Sequence, residues 1–258
     1  MNGGKRAGVV TFSVDLELNL SGQNEARQQM LDRVGRELMD LFDCFRIAAT
    51  FALADPAHSV AAGPLSASLM RHEIAVLGED AWVGCGSSRS RLDRELARRF
   101  EGARKAGYPV STLALRCHHA SLDPALLDGH GITAVRGPAV NPAGTLHNPA
   151  PTTRHGAFQP QPPWRHPLRR VWWSSAGWRS RRVIWQSLQA GETLHLYLDG
   201  AALAVAPESA IALVAETLSE VSTQRERGRL RTSTIADSAR EFHQEHLALP
   251  SRSVLRAA

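Results

Sequence analysis

Short runs of apolar and β-branched residues alternate with amphipathic stretches along most of this chain. The apolar runs predict strands at residues 9–14, 48–53, 73–77, 111–115, 132–135 and 193–198. Apolar residues at helical spacing predict helices at 25–45, 65–70, 89–107, 124–130, 179–190 and 208–227, and a last helix that begins at Ser233 or Thr234. Strands that alternate with helices in this way are typical of a parallel βα architecture, so we expect an α/β fold.

Length and composition indicate one domain. The chain has 258 residues, of which 43% are hydrophobic and 21% are charged, enough for a sizeable core. Residues 136–163 are rich in Pro, Asn and Gly and show weak periodicity, which predicts a long loop. We therefore expect a single domain over residues 1–258 with a loop-rich excursion at about 136–163.

Composition also restricts location and partners. No apolar run reaches the roughly 18 residues that a membrane span needs, and residues 1–8 lack the apolar core of a signal peptide, so we expect a cytoplasmic protein without membrane insertion. Three cysteines at irregular spacing predict reduced thiols rather than a disulfide framework. The net charge of +5 favours acidic partners without identifying one.

The first predicted strand ends in two carboxylates, Asp15 and Glu17. Residues two positions apart on a strand share a face, so both side chains can point into one site. A buried carboxylate pair is costly unless it holds a metal, another cation or a proton. The alternative is that Glu17 lies in solvent beyond the strand and Asp15 caps a turn.

Several blocks in order resemble the polysaccharide deacetylase superfamily, also called the NodB homology or carbohydrate esterase 4 family. The blocks are residues 11–17 (TFSVDLE), 47–51 (IAATF), 72–75 (HEIA), 115–116 (LR), 191–199 (GETLHLYLD) and 227–235 (RGRLRTSTI). The resemblance implies a distorted (β/α)7 barrel with its site at the C-terminal strand ends. It also implies a hydrolase of carbon-nitrogen, non-peptide bonds, such as N-acetyl groups on glycans, that uses a divalent metal of the zinc type.

The resemblance assigns roles to some positions and leaves others empty. Asp15 matches the catalytic base, Glu17 the metal carboxylate, and Arg116 the residue that orients the base. The two metal histidines correspond to Leu77 and Ala81. Because a zinc-type site needs about three protein ligands, we expect no cofactor, unless the carboxylates at 79 and 80 build an all-oxygen site for a hard divalent cation.

The function predicted from the resemblance therefore has two forms. The first is a hydrolase of carbohydrate metabolism with impaired or altered catalysis that uses Asp15 and Arg116, with Asp199 at the position of the family's catalytic histidine. The second is a catalytically inactive pseudoenzyme that binds a glycan or another partner at the barrel mouth. Metal content of the protein purified without chelators would separate the two forms.

Aromatic and basic residues suggest how a glycan would be held. Five of the six tryptophans lie within residues 164–185, mixed with arginines, and aromatic rings stack on sugars while Arg binds acidic groups. The predicted partner is therefore a glycan or N-acetylated sugar, including anionic ones, and its candidate contacts are Asp80, Trp82, His118, Trp164 and Trp172. The alternatives are that the tryptophans pack in the core and that His118 and its neighbours Cys117 and His119 lie in an exposed loop. Nucleic-acid binding rests on charge alone and is not expected.

Overall fold

The computed structural model describes residues 7–17, 25–84, 86–116, 122–137, 152–154, 157–159, 164–165, 184 and 193–247. For residues 80, 152–154, 157–159, 164–165 and 245–247 it describes the backbone alone. The strands are β1 Gly8–Asp15, β2 Thr50–Leu53, β3 Glu73–Gly78, β4 Thr112–Leu115, β5 Ala134–Arg136, β6 Thr152–Arg154, β7 Ala157–Gln159, β8 Trp164–Arg165, β9 Thr193–Asp199 and β10 Leu230–Ser233. The helices are α1 Glu25–Cys44, α2 Ala62–Ala67, α3 Asp80–Val83, α4 Arg89–Leu96, α5 Gly102–Lys105, α6 Pro124–Gly129, α7 Gly200–Leu203, α8 Pro207–Glu226 and α9 Ile235–Leu247, and a π-helical turn at Ala97–Glu101 joins α4 to α5.

The strands form one curled sheet in the order β6-β7-β5-β4-β3-β2-β1-β9-β8, and β10 pairs with the first half of β1. Every pairing is parallel except that between β6 and β7. This arrangement confirms the predicted α/β fold of the distorted (β/α)7 barrel type. Within the range 136–163, for which the sequence predicts a loop-rich excursion, Arg136 ends β5 and two short strands, β6 and β7, are present. Those strands are only three residues long, too short to show a period of two.

Helix α1 covers the outer face of the sheet. Its buried residues follow helical spacing, as the sequence predicted, and include Leu31, Val34, Leu38 and Phe42. The Phe42 ring packs edge-on against Phe12 of β1 at 5.3 Å between centroids and against Phe51 of β2 at 5.9 Å. Burial of each such side chain stabilises the fold by about 1.5–3 kcal/mol, so this stripe is sufficient to dock the helix.

A buried carboxylate anchors α9 at the N-terminal ends of β2 and β3. Glu73 Oε2 accepts hydrogen bonds from Thr50 Oγ1 at 2.7 Å and from the backbone N–H of Ala236 at 2.9 Å. Thr234 Oγ1 accepts from the N–H of Asp237 at 3.1 Å, which confirms the predicted helix start. Among the residues that the structure describes, no helix combines the length and apolar character that would let it cross a membrane.

Candidate functional site

Asp15, the last residue of β1, lies fully buried at the C-terminal end of its strand. Its Oδ1 accepts a hydrogen bond from Arg136 Nη1 at 2.8 Å, and its Oδ2 accepts one from Arg136 Nη2 at 3.2 Å. Both guanidinium nitrogens therefore bind one carboxylate in the bidentate geometry that is strongest for this pair. Arg136 is only 1% exposed, so its charge and that of Asp15 compensate each other away from water.

Two further side chains donate to the same carboxylate. Arg116 Nε lies 3.4 Å from Asp15 Oδ2, which confirms the expected contact between these residues, and Arg116 Nη2 donates to the Glu17 carbonyl at 2.6 Å. Tyr197 Oη donates to Asp15 Oδ2 at 3.0 Å. Burial and the nearby Asp15 raise the pKa of Tyr197 well above its ordinary value of 10.0, so the phenol keeps its proton and remains a donor.

The carboxylate of Asp15 is thus committed to protein donors. A carboxylate offers about four acceptor positions, and Arg136, Arg116 and Tyr197 together make four contacts with it, three of them on Oδ2. Its negative charge faces two guanidinium groups. With three donors its Oδ2 is fully occupied, and its Oδ1 is held by Arg136.

Arg136 is the site residue that sequence reasoning missed. Its contact with Asp15 spans 121 residues of sequence. One signal was available in the sequence, because Arg136 directly follows the apolar run at 132–135 and so stands at the C-terminal end of a predicted parallel strand. In a barrel of this type that end forms the functional face.

Glu17 lies beside this site in a different environment. Its Oε1 accepts from the backbone N–H of Ala54 at 3.1 Å. Burial is the main cause that raises its pKa above 4.5, and the nearby Glu79 acts in the same direction. Glu79 itself pairs with Arg99 of the π-helical turn at 2.6 Å. The surroundings of Glu17 therefore favour the protonated form of its carboxyl group.

Asp199 lies opposite Asp15 in the register of β1 and β9. Its Oδ1 accepts from the backbone N–H groups of Ala201 at 3.1 Å and Ala202 at 3.3 Å, so it caps the start of α7. The next residue must be glycine, since a Cβ at Gly200 would lie 2.1 Å from the Asp15 carbonyl oxygen. The geometry gives Asp199 a capping role, and its catalytic role remains a prediction.

The two positions that correspond to the family's metal histidines do not form a metal site. Leu77 is fully buried in a small apolar cluster with Ala52, Ala75 and Ala114, while Ala81 is exposed on α3. Among the described residues, no group of three or more His, Cys, Asp or Glu side chains is placed to hold a metal ion. Leu77 and Ala81 offer no ligand atom and two guanidinium groups lie against the neighbouring Asp15, so the described residues do not fit a zinc-type centre.

Of the five expected sugar contacts, the structure describes the side chain of Trp82 alone. Trp82 is only 2% exposed, packs in the main core and donates from Nε1 to Glu79 Oε2 at 3.2 Å. One face of its ring is covered in part by Arg99 at 4.9 Å, and its role as a sugar contact remains a prediction. The side chains of Asp80, His118, Trp164 and Trp172 lie outside the described residues, as do Cys117 and His119.

Comparison with known proteins supports the fold. No family model matches the sequence, and no curated protein matches it. A structure described as a polysaccharide deacetylase from Mycobacterium smegmatis is similar with a TM-score of 0.72 at 14% identity, covering 95% of this chain and 93% of that one. The 4-alpha-glucanotransferase from Thermococcus litoralis gives 0.65 at 15% identity over 92% of this chain and 40% of that one.

A third similar structure is the Xyl-CE4 domain of a multidomain xylanase from the hindgut metagenome of Trinervitermes trinervoides. Its TM-score is 0.50 at 8% identity, with 93% of this chain and 92% of that one covered. At these identities the likeness concerns the path of the backbone, and it agrees with the resemblance seen in the sequence blocks. The chain therefore has the fold of the polysaccharide deacetylases and of carbohydrate esterase family 4.

Proposed function

We propose that this protein binds a glycan at the C-terminal mouth of its barrel and does not carry out metal-dependent deacetylation. The observation that supports this most is the bidentate pair between Arg136 and Asp15. The pair commits the carboxylate that the resemblance assigns as catalytic base, and it places a fixed positive charge where a metal cation would be repelled.

The similar structures support a carbohydrate as the ligand. They are a polysaccharide deacetylase, a 4-alpha-glucanotransferase and the CE4 domain of a multidomain xylanase, and each is similar in fold to this chain. At the mouth of this chain, Arg116 has 17% of its side chain exposed while it contacts Asp15. A guanidinium in that position can donate to sugar hydroxyl, acetamido or carboxylate oxygens. Trp164 and Trp172 remain candidates for stacking on sugar rings.

The proposal includes a cytoplasmic location. The thiol of Cys44 is free and exposed, which is compatible with the reducing cytoplasm. We expect the protein to act on or recognise carbohydrate there.

The test is a calorimetric titration of the full chain with an N-acetylglucosamine oligomer and, separately, with a uronic acid oligomer. Arg116→Met should weaken binding about tenfold, because a hydrogen bond from a charged donor is lost. Arg240→Met is the matched control, since Arg240 is exposed and pairs only locally with Asp237 at 2.9 Å among the described contacts. Zinc-dependent release of acetate that disappears in Asp15→Asn would overturn the proposal.

A second candidate is hydrolysis of the N-acetyl group without a metal, and the environment of Glu17 favours it. A carboxyl group whose pKa is raised by burial keeps its proton to a higher pH than an exposed one does, which suits it to act as a general acid. The pH profile of acetate release in the presence of a chelator tests this candidate. Activity that falls as Glu17 deprotonates, and that is absent in Glu17→Gln, would favour the hydrolase over the binding protein.

A further inference from the structure

A chain of hydrogen bonds runs along the inner face of β1 and β9 toward Asp15. His195 Nδ1 lies 2.6 Å from Thr11 Oγ1, and His195 Nε2 lies 2.9 Å from Ser13 Oγ. Arg136 Nη1 lies 3.2 Å from Ser13 Oγ and 2.8 Å from Asp15 Oδ1. All of these residues are buried, so each polar atom depends on its protein partners.

The donors and acceptors in this chain of hydrogen bonds can be assigned by starting from Arg136, whose guanidinium can only donate. A guanidinium only donates, so Ser13 Oγ accepts from Arg136 Nη1. The single Ser13 hydroxyl proton is then available to His195 Nε2, and in that arrangement this nitrogen is unprotonated. The imidazole proton is left on Nδ1.

The same logic continues on the other side of the ring. Thr11 Oγ1 accepts from His195 Nδ1–H and can donate its own proton to the Leu194 carbonyl, 3.5 Å away. Every group in the chain then has one consistent role. With the opposite tautomer, Ser13 Oγ would face two N–H donors, Arg136 Nη1 and His195 Nε2. The Ser13 hydroxyl proton would then lose His195 Nε2 as its acceptor.

We infer that His195 is a positioning residue: as the Nδ1–H tautomer it fixes the Ser13 hydroxyl as an acceptor for Arg136, and thereby fixes the guanidinium that holds Asp15 at the barrel mouth. Parallel pairing explains how, because the register sets Thr11 against His195 and Ser13 against Tyr197 on adjacent strands. The effect on glycan binding rests on the proposed function, whereas the tautomer and the geometry of Arg136 do not.

The surroundings keep this imidazole neutral. Burial, with the positive charge of Arg136 as a second cause, lowers the pKa of His195 from 6.5 to about 3. A charged ring would need another acceptor and would face the guanidinium across Ser13. The ring can therefore hold one tautomer throughout the physiological range of pH.

Nitrogen NMR of the full chain, labelled with ¹⁵N at histidine, tests the inference without any ligand. The expected spectrum has His195 neutral at physiological pH, with its proton on Nδ1 and its resonances assigned by their loss in His195→Gln. A proton on Nε2, or a His195 that titrates near pH 6.5, its ordinary pKa, would overturn the inference.

Ser13→Ala interrupts the chain between His195 and Arg136, and Thr11→Ser is the matched control because it keeps the hydroxyl. We expect Ser13→Ala to release the single tautomer and to change the Arg136 side-chain ¹⁵N signals, while Thr11→Ser preserves both. If an N-acetylglucosamine oligomer binds the parent protein, Ser13→Ala should weaken it about fivefold. Unchanged Arg136 signals in a folded Ser13→Ala would overturn the positioning role, whereas absence of glycan binding in the parent would contradict only the proposed function. If Ser13→Ala does not fold, the tautomer of the parent protein decides.

Discussion

The two sides of the barrel interior differ in chemistry. The polar wall consists of inward residues of β1 and β9, namely Thr11, Ser13, Asp15, His195 and Tyr197. The apolar wall consists of inward residues of β2, β3 and β4, namely Ala52, Ala75, Leu77 and Ala114. A metal centre of the family type would need ligands from both walls, and the apolar wall contributes none at Leu77.

Arg136 links the two walls. Arg136 pairs with Ala114 in the register of β5 and β4, at the edge of the apolar wall. Its guanidinium reaches Asp15 on the polar wall. The three alanines of the apolar wall are small, so a long side chain can be accommodated inside the barrel. The barrel interior therefore holds a fixed cation that the protein itself supplies, the Arg136 guanidinium, next to the Asp15 carboxylate.

Removing that cation should have the largest effect. Arg136→Met leaves the buried Asp15 carboxylate with Arg116 and Tyr197 as its described partners, and we expect the free energy of unfolding to fall by about 3–5 kcal/mol. Urea denaturation measures it, with Arg240→Met at the exposed pair as control, expected within about 0.5 kcal/mol of the parent. The double variant Asp15→Asn with Arg136→Met should recover part of the loss. No recovery would show that the two charges do not depend on each other.

Enlarging Gly200 should disturb the polar wall from the outside. A Cβ there would meet the Asp15 carbonyl oxygen at 2.1 Å and a Leu31 methyl at 2.9 Å, so the backbone of α7 or β1 must move. We expect Gly200→Ala to cost about 3 kcal/mol in thermal or urea unfolding. Gly63→Ala in α2 is the control, because a Cβ there meets nothing within 4 Å. Equal stability of the two variants would contradict this close approach.

Tyr197→Phe should have an intermediate effect. The change removes the phenol that donates to Asp15 Oδ2 at 3.0 Å and keeps the ring under the Arg136 guanidinium. Loss of a hydrogen bond to a charged acceptor predicts about 1.5–2 kcal/mol of destabilisation in urea. Tyr108→Phe at the edge of the core is the control, and a comparable loss there would mean that the phenol at 197 has no special role.

The smallest effect concerns the buried carboxyl at the other end of the barrel. Burial raises the pKa of Glu73 above its ordinary value of 4.5, so the native state binds its proton more tightly than the unfolded chain does. This contribution to stability is present below pH 4.5 and is lost as the pH rises through the raised pKa.

Glu73→Gln should therefore become more stable relative to the parent as the pH rises, by at most about 1.4 kcal/mol per pH unit. Urea denaturation at several pH values measures the difference, with the exposed Glu101→Gln as control. A difference that does not change with pH would contradict the raised pKa.

The sequence predicted the parts of this structure that depend on local pattern. Helix α1 was expected at 25–45 and is Glu25–Cys44, and β9 was expected at 193–198 and is Thr193–Asp199. Asp15 and Arg116 were placed at C-terminal strand ends around one site, and they meet at 3.4 Å. In each case the periodicity and the parallel topology were sufficient.

The parts that failed depend on contacts that no local pattern encodes. Arg136 was assigned to the start of a loop, and its partner is distant in sequence, so its role required the closed sheet. Trp82 was named as a sugar contact although it is buried, because a tryptophan suits both a core and a sugar site. The capping of α7 by Asp199 depends on the short helix that follows the strand, and no periodicity in the sequence predicts a helix there.

We propose that the protein's own arginines, and no metal, compensate the carboxylate at the barrel mouth. The most direct test is a calorimetric titration of the chelator-treated protein with zinc. We expect no saturable site tighter than a Kd of about 10 µM, which corresponds to roughly 7 kcal/mol. Stoichiometric zinc binding that disappears in Glu17→Ala would contradict it.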